Sequence, residues 1–526
     1  MRRLLILAVL LVACGETKMA ETRPTYFGDF ASAPVGTLSG GAAVTVRPPA
    51  ATRIQGWDDG GFEPPVNQLN YQFDNYAKWD RWLAAANARA ASYVVAASTG
   101  LVLETEYDAL CDGAADQTEI NAAITAVAFA GGGVVQLSEG TFTIDGTING
   151  AASVELRMSH GTVIQVSAAV ATSFNMITVD SVTNFWVTNG TLDGNSSAHA
   201  LYHSGVYATI AQDCGSRRVR FVNMQQSAVG AYGHGVHIAS GERYRSEFDF
   251  FDDCEGAAIM EASGVDDTAV IEPTVVDCGA AAHATDSGGI ILAGDDPALL
   301  GGRIDACYVA GLSVRSARGS IVGPRIRDSI AIGLEVTGDD NEIANPMVYN
   351  SGTVGIKVLA GADDNKLMGG SSDTSATYGV HVLGDRLAIG GGFKANESGH
   401  HGIYLEEADE VTVNGIIVAD SSQATHNTFS HIYVEGGDEC SITNNKTIAT
   451  DIGGFAPESC IEMDGTSKPT KLNISGNHFP DISRQTSTFI TSGCVASTNY
   501  RTTPEWVGSG AAANNQDDPV YANYMR

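Results

Sequence analysis

The sequence is poor in positive charge, in long apolar runs and in cysteine motifs. Lysine and arginine together number 30 of 526 residues, against 61 aspartates and glutamates, which gives a formal net charge of −31. A nucleic-acid partner is not expected, because neutralising phosphates requires a basic face. No run after residue 18 is long and apolar enough to span a bilayer. The nine cysteines contain no C-x-x-C pair and no zinc-type spacing, so neither a zinc site nor another resident cofactor is expected.

What the sequence does contain is 60 glycines and a four-residue phrase that repeats between residues 287 and 406. In each copy a glycine is followed by an apolar, a variable and an apolar residue. The copies are Gly289–Leu292, Gly311–Val314, Gly333–Val336, Gly355–Val358, Gly379–Val382 and Gly402–Leu405. Successive glycines are 22, 22, 22, 24 and 23 residues apart, and a period of this size indicates a solenoid.

The type of solenoid follows from the residues inside one repeat. Apolar positions alternate within each phrase, which is the periodicity of a strand. A second short strand precedes the phrase, as at Arg325–Arg327, and a third follows a turn, as at Asn341–Ile343. Three strands and three turns leave no room for a helix in the coil. The sequence therefore predicts an all-β, single-stranded parallel β-helix over residues 134–482, with coils of about 22 residues and about 14 coils in all.

The region before the repeat predicts a helix that covers one end of the solenoid. Ile120, Ile124 and Val127 form its apolar face over residues 116–130, and Asp116 or Thr118 is its expected N-cap. An uncovered end of a β-helix would expose strand edges and core to other molecules. Residues 104–133 are therefore expected to form a capping region.

Several motifs around this helix resemble the opening of the pectate-lyase-like superfamily of right-handed β-helices. They are the turn Asp112–Asp116, the glycine run Gly131–Gly133, the strand Gly140–Ile144 and the later phrase Thr188–Asn195. With the repeat, the resemblance covers about 370 residues and implies a right-handed coil. It does not imply one activity, since this fold hosts lyases, hydrolases, epimerases and adhesins.

The N-terminal region, residues 1–103, has a different character. Residues 1–18 end in Leu11–Cys14, which resembles a bacterial lipobox with Cys14 as the lipidated residue; the alternative is that translation starts at Met19. Residues 19–103 predict a small, mainly helical module and a neck. Residues 56–83, with their Trp-Gly turn, Pro-Pro pair and Trp-rich helix, resemble the N-terminal segments of phage tail fibre proteins. That resemblance implies attachment to a tail or baseplate.

Two stacked files of side chains leave alternatives open. Cys254, Cys278 and Cys307 precede successive repeats, and they predict either buried small side chains in a turn or disulfides between coils. Acidic pairs follow strands at one corner of the coil, which is typical of tight turns. Stacked carboxylates also suit Ca²⁺. The pairs are Asp295-Asp296, Asp339-Asp340, Asp363-Asp364, Asp409-Glu410 and Asp438-Glu439.

The strongest candidate site is a group of arginines in this acidic chain. It comprises Arg217, Arg218, Arg220, Arg243, Arg245, Arg303, Arg325 and Arg327. Aligning strands at the 22-residue period stacks Arg303 on Arg325, and it places Asp305, Arg327 and Tyr349 in the next file. Stacked like charges need compensation, which Asp305 and Asp328 can supply within the protein.

The functional alternative is a groove for a glycan. Arg303, Arg325 and Arg327 would bind anionic groups in it, and Tyr349 would stack on a sugar ring. Asp305 and Asp277 would be acid and base, since glycoside hydrolysis needs two carboxyls about 5–10 Å apart. Gly233–Gly235 resembles the Gly-His-Gly motif of polygalacturonases, but the acidic pairs of those enzymes are missing, so no catalytic role is expected for His234.

The preferred interpretation is a phage or prophage tail spike in the virion tail. By resemblance it would be a homotrimer that binds a bacterial surface polysaccharide. If it is an enzyme, it would also depolymerise that polysaccharide. Two alternatives stay open. One is a lipid-anchored outer-membrane or secreted bacterial enzyme, a polysaccharide lyase or a glycoside hydrolase. The other is a non-catalytic β-helix adhesin or structural fibre, with residues 483–526 as a tail that caps the solenoid or mediates assembly.

Overall fold

A computed structural model describes most of the chain from residue 93 onward. The described residues are 93–100, 107–198, 201, 203–225, 233–280, 288–425, 428–448, 460–463, 471–479, 495–497 and 500–501. All of them belong to one of the two compact units into which the chain divides, residues 87–526. The lipobox-like segment with Cys14 and the predicted attachment module up to residue 92 lie outside the described residues.

The described unit is a right-handed parallel β-helix, which confirms the predicted fold. Short strands from successive coils pair in parallel and build three long sheets. Each regular coil supplies one strand to each sheet, so the three side-chain faces that point outward run the length of the solenoid. The bounds of all described strands follow, sheet by sheet.

The first sheet has 17 described strands: Tyr93–Ala96, Ala109–Leu110, Gly133–Leu137, Val154–Met158, Trp186–Thr188, Gly215–Arg217, Arg245–Glu247, Ala269–Ile271, Ala298–Leu300, Ser320–Val322, Glu342–Ala344, Lys366–Met368, Ala388–Gly390, Thr412–Asn414, Ser441–Thr443, Asn473–Ser475 and Val495–Ser497. The second sheet has 15: Gly140–Ile144, Thr162–Val166, Thr191–Asp193, Arg220–Met224, Phe250–Cys254, Thr274–Val276, Arg303–Asp305, Arg325–Arg327, Met347–Tyr349, Ser371–Asp373, Lys394–Asn396, Ile417–Ala419, Lys446–Ile448, His478–Phe479 and Tyr500–Arg501.

The third sheet has 13 described strands: Ile148–Asn149, Phe174–Asp180, His203–Thr209, Val236–Ile238, Ala257–Glu261, Gly288–Leu292, Ala310–Val314, Ile332–Val336, Ile356–Val358, Val380–Val382, Ile403–Glu406, Ile432–Glu435 and Ile461–Met463. A minor sheet joins Ala211–Gln212, Gly241–Glu242 and Val265–Asp266. A 3₁₀ turn, Ser196–Ala198, completes the set together with the helix described below.

The core is built from one inward-facing apolar residue per strand. In the third sheet Leu312 pairs with Ile290 in one neighbouring coil and with Leu334 in the other, a register of 22 residues in both directions. Ile304, Ile326 and Val348 play the same part in the second sheet, and all six side chains are buried. The stacked rings of Phe221 and Phe251, with centroids 4.9 Å apart, continue this core toward the N-terminus.

Coil length varies most at the corner between the second and third sheets. Leu334, the inward residue of the next strand, lies eight residues after Ile326. Ile432, its counterpart in a later coil, lies fourteen residues after Val418. The register between Ile403 and Ile432 is accordingly 29 residues rather than 22. The extra residues of this coil form the segment Asp420–Ser430, between the second and third sheets.

The glycine that opens each repeated phrase sits at this same corner. A Cβ on Gly333 would lie 2.6 Å from the carbonyl oxygen of Gly355 and 2.7 Å from Ser351 Oγ, and it would be still closer to Val348 Cγ1. Gly311 and Gly402 meet the inward side chains Ile326 and Val418 in the same way. The repeat therefore keeps glycine because no side chain fits between the corner and the core.

The acidic pairs form turns, as their composition predicts. Asp340 and Asp364 adopt positive φ angles of 57° and 58°. The preceding carboxylates brace the next coil: Asp339 accepts the N–H of Asp363 at 3.0 Å, and Asp363 accepts that of Asp385 at 3.1 Å. These carboxylates have protein partners, and the calcium prediction stays untested.

A buried pair of asparagines reinforces the same turns. The Asn341 amide donates to the carbonyl oxygens of Ser316 and Gly338 and to Asn365 Oδ1, at 3.0, 2.9 and 3.0 Å. Its own Oδ1 accepts the N–H of Gly319 at 2.7 Å. Both asparagines are buried, so these hydrogen bonds satisfy turn backbone that solvent does not reach.

The predicted helix is present at Gln117–Phe129 and packs on the first coils with Ile120, Ile124 and Val127 buried. Asp116 is its N-cap residue, but its side chain makes no capping bond. The carboxylate instead accepts the N–H groups of Gly113 at 2.9 Å and Thr143 at 2.7 Å. It therefore joins the turn before the helix to the second sheet. Within the described residues no helix is both long and apolar enough to cross a bilayer.

The strands extend beyond the predicted range of 134–482. Tyr93–Ala96, expected in the neck, pairs with Gly133–Leu137 and Ala109–Leu110. At the other end Val495–Ser497 pairs with Asn473–Ser475. The propensity of Tyr93, Val94 and Val95 for strands was the available signal, and the alanines around them obscured it.

The cysteine file consists of buried thiols. The seven cysteines in the described part of the chain are free, and Cys254, Cys278 and Cys307 are fully buried. Each follows the inward residue of the second sheet by three positions. Serines, beginning with Ser329 and Ser351, take that place in the following coils. A small side chain at this corner is therefore what the fold requires.

Candidate functional site

The structure brings most of the predicted site residues together on the outward face of the second sheet. Arg303 pairs in register with Arg325, and Asp305 pairs with Arg327. Tyr349 lies next to Arg327 in the following coil. The predicted files are therefore present, although no observation tests their role.

Two arginines on this face have no carboxylate partner in the part of the chain that the structure describes. Arg303 forms an ion pair with Asp305, but among the described residues neither Arg325 nor Arg327 makes an ion pair. The guanidinium carbon of Arg327 lies 5.7 Å from the ring centre of Tyr349. Tyr349 and Met347 are 45% and 50% exposed. We call Arg325, Arg327, Met347 and Tyr349 the arginine face.

Three of the five N-terminal members of the arginine group have acidic partners, whereas Arg218 and Arg245 are exposed and form no ion pair among the described residues. Arg217 pairs with Glu247 at 2.7 Å and Arg220 with Asp252 at 3.0 Å. Arg243 pairs with Asp213 and Glu242, both at 2.7 Å. For the three paired arginines, compensation within the protein accounts for the charge.

The predicted acid and base lie in adjacent coils but in different surroundings. Asp305 is largely buried, and no described residue forms a hydrogen bond with its Oδ1. Asp277 is exposed in the turn after its strand, with φ of 51°, and its backbone N–H donates to the Asp305 carbonyl at 3.2 Å. Their pairing as acid and base stays a prediction.

His234, for which no catalytic role is expected, lies inside the fold. It is fully buried, and its Nδ1 accepts the N–H of Ala257 at 3.0 Å. A side chain on Gly256 would collide with that imidazole. This geometry joins two neighbouring coils and gives His234 a structural function.

A second group of side chains, not singled out from the sequence, lies on the outward face of the third sheet. His381 pairs in register with Tyr404, and Tyr404 pairs with Tyr433. The rings of His381 and Tyr404 stack with centroids 4.8 Å apart, and those of His401 and Tyr433 stack at 4.4 Å. Tyr378 lies 4.9 Å from Tyr404. We call Tyr378, His381, His401, Tyr404 and Tyr433 the Tyr–His cluster.

Carboxylates hold the polar ends of this cluster. His381 Nε2 lies 2.6 Å from a Glu406 oxygen, and the Tyr404 hydroxyl donates to Glu435. Burial lowers the pKa of His381, although Glu406 opposes this shift. Burial likewise lowers the pKa of His401 to about 4 and raises the pKa of Tyr404. At neutral pH these imidazoles are therefore uncharged and the phenol keeps its proton.

The signal for this cluster was in the repeated phrase itself. Its third position faces outward, and in three consecutive coils that position holds His381, Tyr404 and Tyr433. In the preceding coils it holds Glu335 and Lys357. Examining the variable residue of the phrase, rather than its constant glycine, would have found the aromatic row.

One group in the described part of the chain could offer three ligand atoms to a metal ion. Potential ligand atoms of Cys111, Asp116 and Glu119 lie within 4.8 Å of one another. Both Asp116 oxygens already accept backbone N–H groups. The group also lies at a helix N-terminus, where the helix dipole disfavours a cation. Its geometry therefore indicates a turn that stabilises the fold.

The fold and its long outward faces define a parallel β-helix protein. No family model matches the sequence. No curated protein matches it significantly. Three similar solved structures illustrate the range of the fold. The A-module of mannuronan C-5 epimerase AlgE6 from Azotobacter vinelandii is 14% identical, with a TM-score of 0.43 over 74% of this chain and 97% of that one.

The Dettilon tailspike protein is 15% identical, with a TM-score of 0.39 over 72% of this chain and 64% of that one. PfbA, a surface adhesin of Streptococcus pneumoniae, is 12% identical, with a TM-score of 0.39 over 69% of this chain and 90% of that one. At identities and scores this low, the similarity gives no information on what this chain binds or does.

Proposed function

We propose that the protein is a tail-spike-type β-helix that binds an anionic bacterial surface polysaccharide on its arginine face. The observation that carries the proposal is a pair of exposed arginines, Arg325 and Arg327, that have no carboxylate partner among the described residues and lie beside the exposed ring of Tyr349. A chain with a net charge of −31 has ample acidic groups to neutralise two arginines. Because no described carboxylate pairs with these two arginines, an external anion is favoured as their ligand.

The chemistry of this face suits an acidic sugar polymer. A guanidinium group binds carboxylate or sulfate through parallel hydrogen bonds, and an aromatic ring stacks on the apolar side of a pyranose. The two coils of the face lie about 4.8 Å apart along the solenoid axis, so successive sugars can meet successive coils. The acidic remainder of the surface disfavours other anionic contacts and thereby helps position the polymer.

The finer parts of the proposal rest on sequence resemblance. Residues 56–83 would attach the protein to a phage tail or baseplate, and the spike would be a homotrimer in the virion. If the bound polymer is cleaved, Asp305 and Asp277 are the proposed acid and base. Cleavage that continues undiminished in both Asp305→Asn and Asp277→Asn would sink that assignment.

Replacing both arginines should weaken binding of an acidic oligosaccharide by at least about tenfold, since two charge-assisted contacts are lost and 1.4 kcal/mol is tenfold. The probe is an oligogalacturonate, with a neutral maltooligosaccharide of the same length for comparison. Isothermal titration calorimetry of the wild type and of Arg325→Ala/Arg327→Ala measures the change. Raising the salt concentration should reduce wild-type binding more than that of the variant.

The matched control is Arg318→Ala. Arg318 is also an exposed arginine, but it forms an ion pair with Asp296 at 2.8 Å. Its removal should leave oligogalacturonate binding unchanged. Equal loss in the control and in the double variant, or no loss in either, contradicts the proposal.

A further inference from the structure

Two glutamates beside the Tyr–His cluster carry negative charge that no lysine or arginine among the described residues neutralises through an ion pair. Glu406 and Glu435 pair in register on adjacent strands. Their hydrogen-bond partners are His381 and the Tyr404 hydroxyl, both uncharged at neutral pH. Among the described residues neither glutamate forms an ion pair with lysine or arginine. Like charges directly opposite each other on paired strands are destabilising.

The nearest cation by register is Lys357, which pairs with His381 from the preceding coil. Lys357 also pairs with Glu335 on its other side. In register Lys357 therefore lies opposite Glu335 rather than opposite Glu406 or Glu435, so the charge beside the cluster stays negative. An anionic sugar would be repelled here, in contrast to the arginine face.

The aromatic rings of the cluster also favour a cationic ligand. Tyr378 and Tyr433 are only half-buried, whereas Tyr404 between them is 9% exposed. The half-buried rings therefore offer accessible π-electron surface on either side of a buried phenol. Aromatic faces attract ammonium groups, and the attraction grows where solvent is partly excluded.

We propose that the Tyr–His cluster is a second ligand site, which binds the free amino group of an amino sugar. The protonated amine lies against the tyrosine faces and donates hydrogen bonds to Glu406 and Glu435. It thereby neutralises the two stacked carboxylates, which supplies the missing cation. An N-acetylated sugar keeps the ring but loses the charge, so it binds more weakly.

This site is separate from the arginine face. The arginine face lies on the second sheet. Lys357 and His381 lie on the third sheet, in adjacent strands. The inference therefore goes beyond the proposed function. A polymer whose repeating unit carries both an acid and a free amine could occupy both sites.

The test uses the full chain at pH 6, where amines with pKa values of about 8 are charged. The probes are a glucosamine oligosaccharide with free amines and its N-acetylated counterpart of equal length, compared by isothermal titration calorimetry. We expect the free amine to bind about tenfold more tightly, the difference expected for one good charge contact. Glu406→Gln and Glu435→Gln should each remove that advantage, so that the two oligomers bind with similar affinity.

Two further variants separate the ring from the carboxylates and from the first site. Tyr433→Phe keeps the aromatic face and should bind the amine normally, whereas Tyr433→Leu should bind it several-fold more weakly. Arg325→Ala/Arg327→Ala should not change amine binding. Circular dichroism melting confirms that each variant is folded.

Equal affinity for the two oligomers, or glutamine variants that keep the preference, would overturn the inference. So would the absence of binding at millimolar oligosaccharide. Because the first site is tested with oligogalacturonate and arginine variants, either proposal can fail while the other stands.

Discussion

Gly333→Ala is expected to lower the free energy of unfolding by about 3 kcal/mol, although it adds a single methyl group. That methyl would lie 2.6 Å from the carbonyl oxygen of Gly355 and closer still to Val348 Cγ1, where coils are already in contact. Overpacking a close-packed core costs about 1–3 kcal/mol, and a collision that includes backbone lies at the upper end. Urea denaturation followed by circular dichroism measures the loss.

The control is the same substitution at Gly361. There a Cβ meets nothing within 4 Å, but φ is +80°. The only cost is the left-handed backbone, about 1 kcal/mol. Comparable losses at the two glycines would mean that backbone conformation, rather than the corner between the sheets, explains why the repeat keeps glycine.

Glu261→Gln should stabilise the protein by about 3 kcal/mol at pH 8 and have little effect at pH 4. Glu261 faces the core and is fully buried, so water does not solvate its carboxylate. Burial raises its pKa to about 7 from an ordinary value of 4.5. A shift of this size corresponds to about 3 kcal/mol at 1.36 kcal/mol per pKa unit.

The direction of this pH dependence follows from the protonation of Glu261 in the folded and in the unfolded state. Below pH 4.5 the carboxyl is protonated in both the folded and the unfolded state and costs nothing. As the pH rises from 4.5 to about 7, the unfolded chain has released its proton while the folded chain still holds it, so the wild type progressively loses stability. Glutamine removes this titration, so the gap between variant and wild type should open across that range.

Urea titrations at pH 4, 6 and 8 give the required differences. Burial also raises the pKa of Asp249 to about 7, but that group is present in both proteins and cancels. Glu342→Gln, at an exposed position of the first sheet, is the control and should be neutral throughout. A Glu261→Gln advantage that is the same at all three pH values would show that packing, not charge, is responsible.

The repeat made the fold predictable because every coil repeats one local rule. A glycine at the corner and alternating apolar residues in the phrase determine strand, direction and register, so the Arg303–Arg325 and Arg327–Tyr349 pairings could be read directly. What the repeat does not encode is the partner of each outward side chain. The ion pair of Arg303 with Asp305 and its absence at Arg325 depend on rotamers that spacing cannot reveal.

The Tyr–His cluster was missed for a related reason. The glycine and the apolar residues of the phrase are constant and predict the fold. The third residue varies, so it contributes nothing to the repeat, yet it is the residue that faces outward. His401 could not be inferred in this way, because it lies before the phrase and reaches the cluster through the corner, where its Nδ1 accepts the N–H of Ser430 at 2.9 Å. The residues added where a corner is longer, such as those that end at Ser430, have no periodicity from which such contacts follow.

The uneven coil length has a consequence for how this protein can change. Insertions between the second and third sheets leave the strand register intact, as the 29-residue step from Ile403 to Ile432 shows. One such insertion brings Phe429 onto the rings of His400 and His401, with centroids 4.0 and 5.2 Å away. A longer loop at this corner can therefore change which side chains are presented for recognition. The strand register and the packing of every other coil stay unchanged.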